Sequence, residues 1–280
     1  MELNLSSSTY LVVQIFSFIL GAVLGSFLNV CIYRLPREES IAFPPSHCTS
    51  CNNPIKFYDN IPILSYLILG GKCRNCSMRI SPIYPIIELI SAVLTLLAVR
   101  QFGINMDTLF YIVLIYSLII ITFIDLEHMI IPNVITFPGI GVGIIFNLII
   151  TNWGYASDLL DTPDLKNFLR LISEVPIMSS ILGVLIGGGL LYFIGFLYEV
   201  IRKREGMGMG DVKLLAMLGA FLGWQGVIFI VFLSSIIGTV IGLSIILYQR
   251  ENLKYAIPFG PFLSIAAIIY IFTGGFSIEF

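Results

Sequence analysis

The sequence predicts an all-α polytopic membrane protein with about eight transmembrane helices and one small extramembrane module. Of its 280 residues, 57% are hydrophobic and only 11% are charged, and the mean hydropathy is +0.96. Soluble domains carry about 25% charged residues. Apolar runs also recur at lengths near the roughly 20 residues that a membrane-crossing helix requires. Finally, four of the five cysteines lie in one polar stretch between the first two apolar runs.

The hydropathy pattern divides the chain into a first transmembrane helix at 10–33, a tetracysteine module at 34–81 and a transmembrane bundle at 84–272. The first run lacks the cleavage site of a signal peptide, so we expect it to be retained. The bundle is predicted to contain spans at 84–99, 109–124, 134–150, 177–200, 212–222, 227–248 and 257–272. A polar loop at 151–176 separates the fourth and fifth spans.

The basic residues predict the orientation, because lysine and arginine are enriched in cytoplasmic loops. If 34–81 is cytoplasmic, then 202–213 and 250–254 are too, and 12 of the 15 basic residues lie on that side. Only Arg100, Lys166 and Arg170 lie on the other side. The lipid bilayer is thus an expected partner, and no part of the charge pattern resembles a nucleic-acid-binding surface.

Two aspartates are predicted at the cytoplasmic ends of spans. Asp125 ends the third span, and Asp211 follows three closely spaced glycines before the sixth. A carboxyl at the membrane edge is costly and by default marks a functional site. Brought together in a poorly hydrated site, the two cannot both ionise easily and would share a proton. One could then take a proton from water while the other polarises an amide carbonyl.

Other interpretations of these acidic residues remain open. Each aspartate could instead cap its own helix. Asp125, Asp211 and Glu88 could also form the relay of a proton-coupled transporter. Substitution of the aspartates would distinguish a peptidase from these alternatives.

The polar stretch contains two CxxC pairs, Cys48 with Cys51 and Cys73 with Cys76, separated by 21 residues. Two such pairs in a short loop can close a tetrahedral zinc site. A loop too small for a large core gains stability from a structural metal, and a cytoplasmic location argues against disulfides. A redox pair, two unrelated turns and a zinc-stapled scaffold without catalysis remain alternatives. Nearby His47 is expected to be solvated, and Cys31 to pack within the first span.

Several sequence blocks together resemble one enzyme family. They are Gly25-Ser26-Phe27-Leu28-Asn29-Val30, Tyr33-Arg34-Leu35-Pro36, Tyr58-Asp59-Asn60-Ile61-Pro62-Ile63-Leu64-Ser65-Tyr66, Tyr84-Pro85 with Glu88, Asp125 with Ile131-Pro132-Asn133, Gly206-Met207-Gly208-Met209-Gly210-Asp211 and Ile257-Pro258-Phe259-Gly260-Pro261-Phe262. The glycine block resembles the GxGD signature of membrane aspartic proteases. The ordered set resembles the type IV prepilin peptidases from about residue 20 to about residue 265. Ile83 departs from the basic residue expected there, and the loop 151–176 is long.

The resemblance implies that Asp125 and Asp211 are the catalytic pair of a leader peptidase in the bacterial cytoplasmic (inner) membrane. Its substrates would be prepilins or pseudopilins of type IV pili and type II secretion, cut after a glycine at the cytoplasmic face. A second activity, N-methylation of the new terminus with S-adenosylmethionine, is also implied, without identified binding residues. Glu88 could orient the amine or serve only the structure, whereas Glu127 is expected to be a solvated loop charge.

Overall fold

A computed structural model describes residues 7–154, 175–202, 208–249 and 257–274. Within these ranges, six helices are long and apolar enough to cross a membrane, and Gly260–Phe272 is a shorter apolar helix. The ranges contain only isolated β-bridges and no extended strand. The predicted all-α polytopic class is therefore confirmed. Most of the predicted loop 151–176, and Gly206 and Met207 of the glycine block, lie outside the described residues.

The chain forms two compact units, Met1–Ile124 and Asp125–Phe280, and the boundary falls inside one helix. The first unit contains α1 (Ser7–Arg34), α2 (Leu64–Ile68), α3 (Ile83–Phe102) and most of α4 (Met106–His128). Short 3₁₀ turns at Leu35–Arg37 and Phe57–Asn60 lie between α1 and α2. Gly25 of α1 packs directly on α3, where an added Cβ would lie 2.8 Å from the Glu88 Cα. Such close approach of helix backbones is typical of small residues in membrane helices.

The second unit continues with α5 (Asn133–Gly154), α6 (Pro176–Val184), a π-helical turn (Leu185–Leu190), α7 (Leu191–Arg202), α8 (Met209–Gln249) and α9 (Gly260–Phe272). Helix α8 packs against α5, α6 and α9. The backbones of Gly183 and Gly219 touch, so neither position has room for a side chain. On α5, Gly143 likewise lies against Ala220, where an added Cβ would come within 2.8 Å.

Helix α8 combines the predicted sixth and seventh spans, which are separated at one residue rather than by a loop. Gly223 adopts φ 72° and ψ 178°, a conformation that favours glycine. The break removes partners from nearby carbonyls, and in a membrane these must be satisfied by other protein groups. The Ala220 carbonyl accepts hydrogen bonds from Asn147 Nδ2 at 2.9 Å and Ser180 Oγ at 2.7 Å. Neighbouring helices thereby stabilise the broken turn.

Candidate active site and metal centre

Asp125 lies in the last turn of α4 and is buried, with 5% of its surface exposed. The backbone N–H of Gly260, the first residue of α9, donates to Asp125 Oδ2 at 3.0 Å. A Cβ added at Gly260 would lie 2.6 Å from the same oxygen. Glycine is therefore required for this close approach, which fixes the orientation of the Asp125 carboxyl.

Asp211 lies in the first turn of α8, and its backbone N–H donates to the Gly208 carbonyl at 3.1 Å. The turn presents the carboxyl at the start of the helix, where the aligned peptide dipoles favour negative charge. Gly210, next to Asp211, packs on Ile131, and Ile131 also packs on the Gly260 whose N–H donates to Asp125. The second unit thus brings the two sequence-predicted aspartates into one region.

Ile131 packs against the glycine next to Asp211 and the glycine whose N–H donates to Asp125. A Cβ added at Gly210 would come 3.0 Å from Ile131 Cβ, and one added at Gly260 would come 3.4 Å from Ile131 Cδ1. The same side chain therefore contacts the glycine beside Asp211 and the glycine that binds Asp125. Only 9% of Ile131 is exposed, so this packing helps to set the spacing of the acidic residues.

A second contact joins the turn after α4 to α8. Lys213 Nζ donates to Asn133 Oδ1 at 2.9 Å and lies 5.4 Å from the centre of the Phe137 ring. Asn133 begins α5, two residues after Ile131. The Ile131-Pro132-Asn133 block therefore contacts the first turns of α8 through both an apolar and a polar residue.

Glu88 lies in the first unit, 8% exposed on α3. Its Oε2 accepts the backbone N–H of Ile63 at 2.7 Å. Ile63 has φ 62°, an uncommon conformation that costs a residue of this type about 1–3 kcal/mol. On the same helix, the Tyr84 carbonyl accepts from Asn29 Nδ2 at 3.1 Å. Three of the sequence blocks therefore meet around the start of α3.

The four cysteines of the two CxxC pairs form one cluster, whose Sγ atoms all lie within 4.8 Å of one another. Cys48 Sγ and Cys76 Sγ are 3.8 Å apart. Tetrahedral zinc with its usual Zn–S bond places sulfurs ~3.8 Å apart, so the cluster fits this ion. Backbone N–H groups of Cys51 and Ser50 lower the pKa of Cys48 to about 6, which favours the thiolate form that binds metals.

The two halves of the cluster repeat the same backbone turn. Cys48 N–H donates to the Asn53 carbonyl at 2.9 Å, and Cys73 N–H donates to the Met78 carbonyl at 2.8 Å. The residue after each pair has positive φ, at 55° for Asn52 and 56° for Ser77. Two equivalent turns therefore each present two sulfurs to a common centre.

Arg74, between the second pair of cysteines, connects this cluster to the Phe57–Asn60 turn. Its guanidinium contacts both carboxylate oxygens of Asp59, with Nε at 2.8 Å from Oδ2. The hydrogen bond from Arg74 lowers the pKa of Asp59. This pair orients the segment that leads to Ile63.

Three other predicted residues lie outside both clusters. His47 Nδ1 lies 3.2 Å from the Pro45 carbonyl and does not join the sulfur cluster. Cys31 is buried on α1, in agreement with a packing role. The Glu127 side chain is 62% exposed, as expected for a solvated charge, but it lies in the last turn of α4 rather than in a loop. The Gly260 N–H was not predicted as a site group, although its glycine-proline block was visible in the sequence.

The fold and these two clusters define a multi-pass membrane protein with an acidic pair at helix ends and a four-cysteine centre. The family profile described as bacterial peptidase A24 N-terminal domain matches residues 19–102, and that of the type IV leader peptidase family matches residues 112–243. The chain belongs to the type IV leader peptidase family.

Curated relatives support the same assignment. Proteins named prepilin leader peptidase/N-methyltransferase from Neisseria gonorrhoeae, Aeromonas salmonicida and Pseudomonas putida are 36%, 34% and 32% identical to this chain. The alignments cover 93%, 92% and 91% of this chain and 90%, 89% and 89% of those proteins, respectively. No solved structure matches the chain. The relatives lend no support to the transporter alternative.

Proposed function

We propose that this membrane enzyme removes the leader of type IV prepilins or pseudopilins by cutting after a glycine, and then N-methylates the new terminus. The cut is made at the cytoplasmic face of the bacterial inner membrane. The observation that carries the peptidase activity is the packing of Ile131 against both Gly210, next to Asp211, and Gly260, whose N–H donates to Asp125. Relatives with both activities in their names align over almost the whole chain.

Asp125 and Asp211 act as a general acid–base pair that holds one proton between them. The ionised carboxyl takes a proton from water as the water attacks the scissile carbonyl carbon, while the protonated carboxyl donates to the carbonyl oxygen. As the tetrahedral intermediate collapses and the C–N bond breaks, the carboxyl that took the proton from water gives it to the departing amine. The other carboxyl takes back a proton from a hydroxyl of the intermediate, so the pair again holds one proton. The Gly260 N–H keeps one carboxyl in position throughout this sequence.

The position of the aspartates suits a substrate with a short basic leader, a glycine and then an apolar helix. Both lie in terminal turns of apolar helices. A substrate helix in the bilayer would therefore present its leader at the same membrane boundary. The basic residues at 202–213, which flank Asp211, favour a cytoplasmic location for that boundary.

The second activity requires a methyl donor, and S-adenosylmethionine is the donor that the relatives' activity implies. It supplies an electrophilic methyl group to the free amine left by cleavage. Incubation of cleaved peptide with labelled S-adenosylmethionine should transfer label to its N-terminus. Absence of transfer, in a preparation that still cleaves, would refute the second activity without affecting the first.

We assign Zn²⁺ to Cys48, Cys51, Cys73 and Cys76 as a structural ion. The sulfur spacing supports this assignment, and four thiolates leave no open position for a reacting water. The ion's contribution is to hold the two equivalent turns together. The boundaries of the tetracysteine module at 34–81 and the bundle at 84–272 remain predictions.

Substitution tests the acidic pair most directly. Asp125→Asn and Asp211→Asn should each reduce cleavage of a prepilin peptide by at least about 100-fold, since general acid–base groups contribute on this order or more. Asp107→Asn is the matched control, because Asp107 is exposed in the first turn of the same α4 helix. Cleavage by either variant at the rate of the Asp107→Asn enzyme would refute the proposed pair.

A further inference from the structure

The extramembrane module contains an uncharged stretch that continues across 61–71, between Asp59 and Lys72. We name it the apolar segment; its sequence is Ile61-Pro62-Ile63-Leu64-Ser65-Tyr66-Leu67-Ile68-Leu69-Gly70-Gly71. It includes helix α2, at Leu64–Ile68. Charged residues are frequent on both sides of it, so this composition is local to the segment.

The apolar segment exposes its large side chains. Leu64 is 57% exposed, Leu67 is 67% exposed and Ile68 is 77% exposed. These residues are neighbours on one short helix, so they form a continuous apolar surface. Such surfaces on proteins mark contacts with a membrane or another apolar partner.

A buried hydrogen bond ties the segment to a transmembrane helix. The Ile63 N–H donates to Glu88 Oε2 at 2.7 Å, and Glu88 lies ~7.5 Å along α3 from its first residue, Ile83. Exposed apolar residues of α3 begin at that first turn, with Ile83 49% exposed and Ile86 47% exposed. The contact therefore holds Ile63 beside the part of α3 that is already apolar on its surface.

The other end of the segment is bonded to Ile80, three residues before α3 begins. Ile80 N–H donates to the Gly71 carbonyl at 2.8 Å, and Tyr66 OH donates to the Ile80 carbonyl at 3.5 Å. Together with the Ile63–Glu88 hydrogen bond, these bonds hold both ends of the apolar segment close to the beginning of α3. The segment thus cannot extend freely into water.

Its polar groups are also paired internally. Ser65 Oγ donates to the Ile61 carbonyl at 2.7 Å, and the Leu67 and Leu69 N–H groups donate to the Ile63 and Ser65 carbonyls at 3.2 Å and 2.9 Å. Internal pairing of the backbone is what a lipid environment requires. The segment therefore has both features that contact with lipid requires: an exposed apolar surface and backbone polar groups that are hydrogen-bonded within the segment.

We propose that the apolar segment 61–71 lies in the boundary between lipid headgroups and acyl chains, with Leu64, Leu67 and Ile68 in contact with lipid. Interfacial helices bury their apolar face ~5–10 Å into this boundary, which agrees with the position of the Glu88 contact along α3. The occupant of the exposed face is the bilayer in which the enzyme is embedded. This proposal does not depend on the proposed peptidase activity.

Site-specific fluorescence tests the proposal in the full chain, reconstituted in phosphatidylcholine vesicles. Leu67→Trp and Ile68→Trp are made separately in a Trp153→Phe, Trp224→Phe background, which removes both natural tryptophans. Met78→Trp is the control, because Met78 is 55% exposed in the second cysteine turn. Lipids brominated near the headgroup should strongly quench the emission of the Leu67→Trp and Ile68→Trp proteins, whereas aqueous iodide should quench the Met78→Trp protein.

Iodide quenching of the Leu67→Trp and Ile68→Trp proteins equal to that of the control, without quenching by brominated lipid, would overturn the proposal. Protection from both quenchers would also overturn it, because protein would then cover the surface. A stable fold is verified in each variant by retained zinc content.

Two substitutions test the anchor. In the Leu67→Trp protein, Glu88→Gln keeps an oxygen that can accept the Ile63 N–H, so lipid quenching should persist. Glu88→Leu removes that acceptor and should weaken lipid quenching while iodide quenching rises. Equal quenching in the Glu88→Gln and Glu88→Leu variants would refute the anchoring role of Glu88.

Discussion

The tetracysteine cluster and the aspartate region are assembled in contrasting ways. The four sulfurs come from one short stretch, in which the same backbone turn occurs twice. The aspartate region joins Asp125 to Asp211 and to Gly260, and the hydrogen-bonded pair Asp125 and Gly260 is separated by 135 positions in sequence. Local spacing can therefore define a metal centre, whereas an acidic pair within helices depends on how distant segments pack.

The sources of stability differ correspondingly. The cysteine residues are partly exposed, so the cluster has little apolar burial of its own and a metal would supply its main cross-link. The aspartate region is supported by buried contacts of α8, including backbone contact at Gly219 and the packing of Ile131. Changes in the first region should therefore alter metal content and folding, and changes in the second should alter catalysis.

Among these predictions, the removal of two cysteine ligands of the zinc ion should have the largest effect on the stability of the protein. Cys48→Ser combined with Cys73→Ser takes one sulfur from each turn, so the protein should lose its zinc and the cluster should lose most of the ~10–16 kcal/mol that structural zinc can supply. Elemental analysis and limited proteolysis of 34–81 measure this outcome. The Cys31→Ala protein, which changes a cysteine outside the cluster, should keep its zinc. Unchanged zinc in the double variant would refute the site.

The second largest effect is expected from the addition of a methyl group at Gly260, which should lower the rate of cleavage. Gly260→Ala places a Cβ 2.6 Å from Asp125 Oδ2, which must displace the carboxyl. Misplacement of a catalytic group by about 1 Å costs on the order of 100-fold in rate, so cleavage should fall by about that factor with zinc content unchanged. Gly141→Ala is a matched control, because an added Cβ there meets nothing within 4 Å. Equal cleavage by both variants would show that Gly260 does not position Asp125.

The smallest effect on stability is expected from the Arg74–Asp59 pair, which joins an exposed arginine to an aspartate whose side chain is 10% exposed. Because the pKa of Asp59 is lowered in the folded protein, the pair contributes stability above the usual carboxyl pKa, and this contribution is lost as pH falls through the lowered value. Asp59→Asn should therefore reduce module stability slightly at neutral pH and flatten its acid dependence. Zinc release followed by a chromophoric chelator between pH 3 and pH 7 measures the difference. An unchanged acid dependence would contradict the role of the pair.

The sequence was sufficient to predict those features that depend on the spacing of residues along the chain. Two CxxC pairs predicted the sulfur cluster, and the apolar runs predicted the helical class. The two aspartates were identified because each belongs to a recognisable block, and the structure places them in one region. Their catalytic role stays a prediction until the variants are measured.

The supporting contacts could not be predicted in the same way. Gly260 was visible only as part of a proline-glycine block that resembles a family motif, whereas its N–H donates to a carboxyl on another helix. Similarly, nothing in the pattern of Ile63 indicated positive φ or a bond to Glu88. Such contacts depend on tertiary packing, which overrides the local preferences that a sequence pattern reports.

The break at Gly223 has a consequence for the permitted length of α8. Contacts of Gly219 with Gly183 and of Gly223 with Ser179 set the azimuth of the helix that begins at Met209. Each residue advances an α-helix by about 100°. A single insertion between Asp211 and Gly219 would thus leave every apolar property of the span intact yet turn the acidic group roughly a quarter of the way around the helix axis. The number of residues in that interval is therefore as strictly constrained as their identity.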